Sequence, residues 1–337
     1  MTPVQGAGGG AHKASLTLAL GFVAVLFGLH VLQGPRNVPL ETFPALLFDR
    51  SPASFDQFVI LHLRLPRILA VVMAGACLGA AGFLLQTAMR NRLGEPHILG
   101  LNAGASLAVV VLTAFPLIPL PVAAKPFAAS LGAFLLFGAV LALSAGGRDR
   151  FSPVRVIFFG IALSAMANAL VSAILILDED TLEQLRFWLL GDSAGVQMSA
   201  IAAAAPTVVI GLVGAALVMP RLAALSLGDN LARGLGASVK RTRLIALLMA
   251  ALLSGSAVSL IGPIGFVGLV APALWPRLHN KPSVAALLLV TLSGAGLLLA
   301  ADSLAAGILA PRELPTGALT GLVGAPVFIW LVLRTLR

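Results

Sequence analysis

A chain of 337 residues that is 59% hydrophobic and only 10% charged, with mean hydropathy +1.01, cannot bury its apolar surface as a water-soluble globule, since soluble domains carry roughly 25% charged residues. The composition implies a polytopic integral membrane protein. Its net charge of +9 is explained by topology, as argued next, which removes the case for nucleic-acid binding.

Residues 1–15 are Gly- and Ala-rich, with His12 and Lys13 before the first apolar run, and read as a flexible N-terminus followed by a retained first span. Apolar segments then follow at 16–32, 68–88, 98–118, 127–145, 154–177, 200–219, 244–261, 266–275, 284–308 and 316–336. Most have the roughly 17–25 residues that a helix needs to cross the hydrocarbon layer. The eighth is too short to cross alone. No segment shows the two-residue alternation of a membrane barrel. The prediction is an all-α integral membrane protein, a bundle of about ten transmembrane helices forming one domain over 1–337. Cys77 lies inside an apolar run, so no disulfide framework exists.

With the N-terminus inside and each segment crossing once, 15 of the 22 basic residues fall on the inner side, as the positive-inside rule requires. Arg36, Arg50, Arg64, Arg67, Lys125, Arg186 and Arg312 fall outside. Both termini are then cytoplasmic.

Gly262-Pro263-Ile264-Gly265-Phe266-Val267-Gly268 breaks the chain between the seventh and eighth segments. Non-helical backbone within a membrane is tolerated only where protein or a water-filled cavity satisfies its polar groups. Gly262, Pro263, Gly265 and Gly268 are therefore candidate hinge positions beside a transport pathway. Gly75/Gly79 and Gly100/Gly104 have the small-x-x-x-small spacing of close helix packing. Gln86, Asn102, Ser164, Asn168 and Ser172 are polar but uncharged within apolar segments. They either line a pathway or hydrogen-bond between helices.

None of the four lysines is followed by Ser or Thr, so the chain lacks a P-loop and is not expected to hydrolyse ATP. The five scattered histidines and the absence of paired cysteines offer no metal site. Asp302 is the one ionisable candidate for ion coupling within a span, and a stand-alone proton-coupled carrier would depend on it. An energy-supplying partner is the simpler reading. Its docking candidate is the connection at 220–243, where 226–236 reads as a short amphipathic helix. Asp229 stands near its start, Gly234 and Gly236 at its end, and Leu227, Leu231 and Leu235 form one apolar ridge.

Taken together, Leu63-Arg64-Leu65-Pro66-Arg67, Arg90-Asn91-Arg92-Leu93-Gly94-Glu95-Pro96-His97-Ile98-Leu99-Gly100, Phe187-Trp188-Leu189-Leu190-Gly191, Gly228 to Gly236, the broken turn, Pro311-Arg312-Glu313-Leu314-Pro315-Thr316-Gly317 and Gly324-Ala325-Pro326 occur in the order seen in one family. The chain resembles the FecCD-type permease subunits of ABC importers for iron-siderophores, haem and cobalamin, over roughly residues 63–333. The resemblance implies the type II ABC importer permease fold in the bacterial cytoplasmic (inner) membrane. It also implies a second permease subunit, identical or not, two cytoplasmic ATP-binding subunits, and a periplasmic or lipid-anchored substrate-binding protein. ATP and Mg would be bound by the ATPase, leaving this chain without a cofactor.

By the same resemblance, Arg64, Arg67 and Arg312 would dock the binding protein. Gly228, Asp229, Leu231, Arg233, Leu235 and Gly236 would couple to the ATPase, and Ser164, Asn168 and Ser172 would line the pathway. The cargo implied is a ferric siderophore, with haem or cobalamin as alternatives. The chain departs from the family pattern at Arg92, where Pro is usual, at Ala273, where His is usual, and at Ala306, where many relatives have Arg.

Overall fold

The computed structural model describes residues 7–32, 55–115, 124–144, 153–234, 238–276, 278, 282–309 and 312–335. Thirteen helices account for most of them: α1 (Ala7–Leu32), α2 (Phe55–Val59), α3 (Leu65–Met89), α4 (Leu101–Ala114), α5 (Lys125–Ser144), α6 (Pro153–Leu177), α7 (Glu179–Leu189), α8 (Met198–Ser226), α9 (Asp229–Gly234), α10 (Val239–Ile261), α11 (Val267–Ala273), α12 (Val284–Ile308) and α13 (Thr316–Thr335). No strand occurs among the described residues. Among the described residues, seven helices, the α2–α3 unit counted as one, are long and apolar enough to cross a membrane, and 101–114 and 316–330 form shorter apolar helices.

Three boundaries differ from the sequence reading. Helix begins at Ala7, so part of the expected flexible N-terminus is helical. The third segment becomes helical only at Leu101, because Gly100 at its N-cap has φ +90°, a left-handed conformation that interrupts a helix; its expected end at 116–118 lies outside the described residues. The connection at 220–243 is shorter than expected, since α8 continues through Pro220 to Ser226.

Helix α3 is the axis of the bundle. It packs against α12, α10 and α11, and glycines set the spacing. A Cβ on Gly75 would lie 2.5 Å from the Gly294 carbonyl oxygen, and one on Gly79 2.8 Å from that of Val290. Gly104 and Gly132 make the equivalent approach between α4 and α5. In apolar surroundings helix association relies on this close van der Waals contact.

Before α3 the helix widens into a π turn at Ile60–Arg64, where the Leu65 amide bonds to the Ile60 carbonyl. Pro66 explains the widening: it has no N–H, and its ring would clash with a carbonyl four residues earlier. One consequence is that Arg64 turns inward.

The broken segment and the surfaces around it

At one end of the bundle lies a buried ionic cluster. Arg67 of α3 grips Asp302 of α12 in a fork, with Nε 2.9 Å from Oδ2 and Nη2 3.1 Å from Oδ1, while its Nη1 lies 2.5 Å from Glu313. Ser193 and Thr316 donate to Asp302 Oδ1, each at 2.5 Å. His30 of α1 adds its Nε2 at 3.1 Å from Oδ2. Asp302 is fully buried, so the cluster joins α1, α3, α12 and α13. A planar guanidinium matches a carboxylate fork.

This geometry changes the reading of the two arginines expected to face a docking partner. Arg67 is engaged within the bundle. Arg64 is also buried, with Nη1 2.7 Å from the Val31 carbonyl. Arg312 is the exposed member of the three. Asp302, the residue on which a proton carrier would depend, is occupied as the centre of this cluster.

The broken segment runs from Gly262 to Phe266. Gly262 has φ +76° and ψ −175°, a region essentially restricted to glycine. A Cβ there would also collide with the Trp188 carbonyl oxygen. The next residue is Pro263, which has no donor to satisfy. The Ile264 carbonyl accepts from Asn102 Nδ2 at 2.8 Å, and Asn102 Oδ1 accepts from Ser254 at 2.8 Å. The Phe266 amide donates to Glu95 Oε1 at 3.0 Å, while Glu95 Oε2 accepts the Ile98 amide at 3.0 Å. Gly268 presents a carbonyl whose helical partner would be the nitrogen of Pro272; Gln86 Nε2 supplies the missing donor at 3.2 Å. Gly82 makes room, since a Cβ on it would overlap that carbonyl. Gln86 and Asn102 thus serve the broken backbone, which settles their two readings in favour of hydrogen bonding.

Phe266 is unusual in having φ +69° without being glycine. Its ring fits against Gly324, where a Cβ would lie 2.3 Å from the ring, and sits 6.5 Å from Phe328. Glu95, in the connection between α3 and α4, is fully buried. Burial pushes its carboxyl up, while nearby His97 and the amides of Ile98 and Phe266 pull it back.

Ser164 and Asn168 of α6 line a cleft of about 410 Å³ together with Leu93, His97, Ile98 and Phe328. The Ser164 hydroxyl is buried and has no hydrogen-bond partner among the described residues, leaving it open to a bound molecule or water. Ser172 is exposed and lies outside this cleft. Much of α6 presents large apolar residues outward, including Phe158, Ile161 and Met166.

At the other end, Gly228 has φ +123° and its carbonyl accepts the Ala232 amide at 2.9 Å. Ala232 is buried against Leu225 and Val239, whereas Leu227 and Leu231 are each 62% exposed. Arg233 is exposed too. Asp229 begins α9. Leu235 and Gly236 lie outside the described residues. A basic residue braces each side: Arg90 donates to the Leu225 carbonyl, and Arg243 to that of Ala88.

A family model for the FecCD transport family matches residues 22–334. The chain belongs to this family. It is 37% identical over 310 residues to the ferric enterobactin transport system permease protein FepD of Escherichia coli, covering 92% of each chain. It is 34% identical over 326 residues to the hemin transport system permease protein HmuU of Yersinia pestis, covering 94% of this chain and 96% of that one. A solved inward-facing structure of a metal-chelate type ABC transporter superposes with a TM-score of 0.78 at 26% identity, covering 95% of this chain and 98% of that one. This FecCD chain is thus a permease of the metal-chelate type of ABC importer.

Residues the sequence reading passed over become prominent in this setting. Glu95 and His97 appeared only within a motif, and Phe266 only within the broken turn. Glu95 did carry a signal, being a lone acid just before Pro96 on a side rich in basic residues.

Proposed function

We propose that the chain moves an intact ferric siderophore inward by alternating access, as half of a pathway completed by a second permease subunit. The observation that carries this reading is the cleft beside the broken segment. Its polar lining consists of Ser164, Asn168 and His97 among apolar side chains, which suits a bulky chelate held by hydrogen bonds and apolar contact better than a bare ion needing several anionic ligands. Relatives named for ferric enterobactin, Fe(3+)-citrate and iron(3+)-hydroxamate systems support a ferric chelate. Those named for hemin and vitamin B12 supply the alternatives.

In this reading the Arg90 end faces the cytoplasm with both termini, in the bacterial inner membrane. Leu227, Leu231 and Arg233 enter a cleft on one of two ATP-binding subunits, which hold ATP and Mg and carry out the hydrolysis. A substrate-binding protein docks at the opposite end, where Arg312 is available to its carboxylates. No bond in the cargo is made or broken by this chain.

The test is uptake of radioactive ferric siderophore into liposomes containing the permease with its ATPase, with and without binding protein and internal ATP. Uptake requiring both supports the proposal. A stable, ATP-hydrolysing complex that transports hemin or cobalamin instead would overturn the cargo. Uptake that needs no ATP would overturn the mechanism.

A further inference from the structure

The broken segment and the cleft meet at one side chain. Glu95 is buried, and each of its oxygens holds a backbone amide: Ile98 within its own connection and Phe266 at the entrance to α11. The second amide belongs to a residue in left-handed conformation, which costs a non-glycine residue energy and persists only where its surroundings impose it. Here the imposing contacts are the Glu95 carboxylate on the amide and the Gly324 notch around the ring. Helix α11 itself has only seven residues, separated from α10 by the break and carrying Pro272 near its other end. Residues on the far side of Glu95 form the cleft: Leu93, His97 and Ile98 line it, and so does Phe328, beside the Phe266 ring.

We infer that Glu95 is a positioning residue of transport, clasping the strained Phe266 turn to residues 91–100 so that α11 and the cleft wall shift as one body. Glutamate suits the task because each of its two carboxyl oxygens can accept a backbone amide. Glutamine would turn a donor toward one of the two amides. The inference rests on the importer reading for its transport assay, but it concerns only whether these two segments move together.

A disulfide tests it directly. A Cβ added at Gly265 lies 3.7 Å from the His97 Cβ, inside the roughly 3.5–4.5 Å that disulfides span. Cys77 is fully buried in α3 and stays out of the exchange. In the reconstituted complex, His97→Cys/Gly265→Cys is compared oxidised and reduced for radioactive ferric siderophore uptake and for ATP hydrolysis. The oxidised form should keep its reduced rate within about twofold. Glu95→Gln alone should lower uptake per ATP hydrolysed by about tenfold, the scale of one buried N–H left unpaired. In the double-cysteine background, oxidation should bring the Glu95→Gln protein most of the way back to the ratio of its Glu95 counterpart by replacing the lost tie.

Loss of transport on oxidation, reversed by reductant, would mean that the segments slide past one another and would overturn the inference. An unchanged coupling ratio in Glu95→Gln would overturn it independently, even if the double-cysteine protein proved inactive when reduced. Absence of siderophore uptake by the unmodified complex would count against the cargo alone. In that case the ATP hydrolysis rates of the oxidised and reduced forms still decide the inference.

Discussion

The Arg67–Asp302 cluster and the broken segment both put polar groups inside an apolar bundle, yet they are built on opposite principles. The cluster joins side chain to side chain, with formal charges, across four helices whose backbones are intact. The broken segment joins side chain to backbone, with Asn102, Glu95 and Gln86 each replacing a hydrogen bond that a continuous helix would have made for itself. Charge pairs of the first kind fix where whole helices stand. Individual bonds of the second kind let a short helix exist without a continuous one, and each can be exchanged singly. Rigidity at one site and a replaceable hold at the other suit a wall that must move against a fixed frame.

That contrast is broken most severely at Arg67. Replacing it with Ala takes the guanidinium away from the buried Asp302 carboxylate, and removing one partner from a buried pair costs about 3–5 kcal/mol. We expect Arg67→Ala to lower the detergent melting temperature more than any change in the broken segment, with poor recovery of assembled complex. Replacing the pair together, as Arg67→Met/Asp302→Leu, should recover much of the loss. If the single variant melts like the parent, the cluster is not the frame described here.

A milder change sharpens the other half of the comparison. Gln86→Leu leaves the Gly268 carbonyl without a donor, at a cost of about 1–3 kcal/mol. Pro272→Ala restores an N–H at the position where α11 would normally supply that donor. The two changes should therefore be non-additive, with Gln86→Leu costing at least ~1 kcal/mol less in the Pro272→Ala background. Strict additivity in thermal or chemical unfolding would show that Gln86 does not stand in for the helix bond.

Much of this was legible from the residues alone, and the exceptions have physical causes. Ten apolar segments were visible because membrane spans are long and uniform in hydropathy. The break was visible because Gly262 and Pro263 interrupt such a run. The inward direction of Arg64 and Arg67 was not. A helix apolar on nearly every face has no periodicity to mark its buried side, and the π turn before Leu65 alters the phase between residue number and direction. Glu95 was equally hidden in its role, since its partner Phe266 is 171 residues away. The third span was started too early because hydropathy continues through 98–100 while the left-handed Gly100 delays the helix.

The smallest stability effect belongs to a surface outside both regions, and it tests whether holding the fold and driving it are separable. Leu227 and Leu231 are each 62% exposed beside buried Ala232, so Leu227→Ser/Leu231→Ser removes little internal packing and should shift stability by no more than about 0.5 kcal/mol. The same change takes away the apolar ridge proposed to seat in the ATPase. The complex should then dissociate more readily on size-exclusion chromatography, or hydrolyse ATP without transport, while the permease melts normally. A large drop in melting temperature would mean that the ridge belongs to the frame. Normal transport with normal melting would place the coupling contact elsewhere, most simply on Arg233, which is exposed on the same short helix.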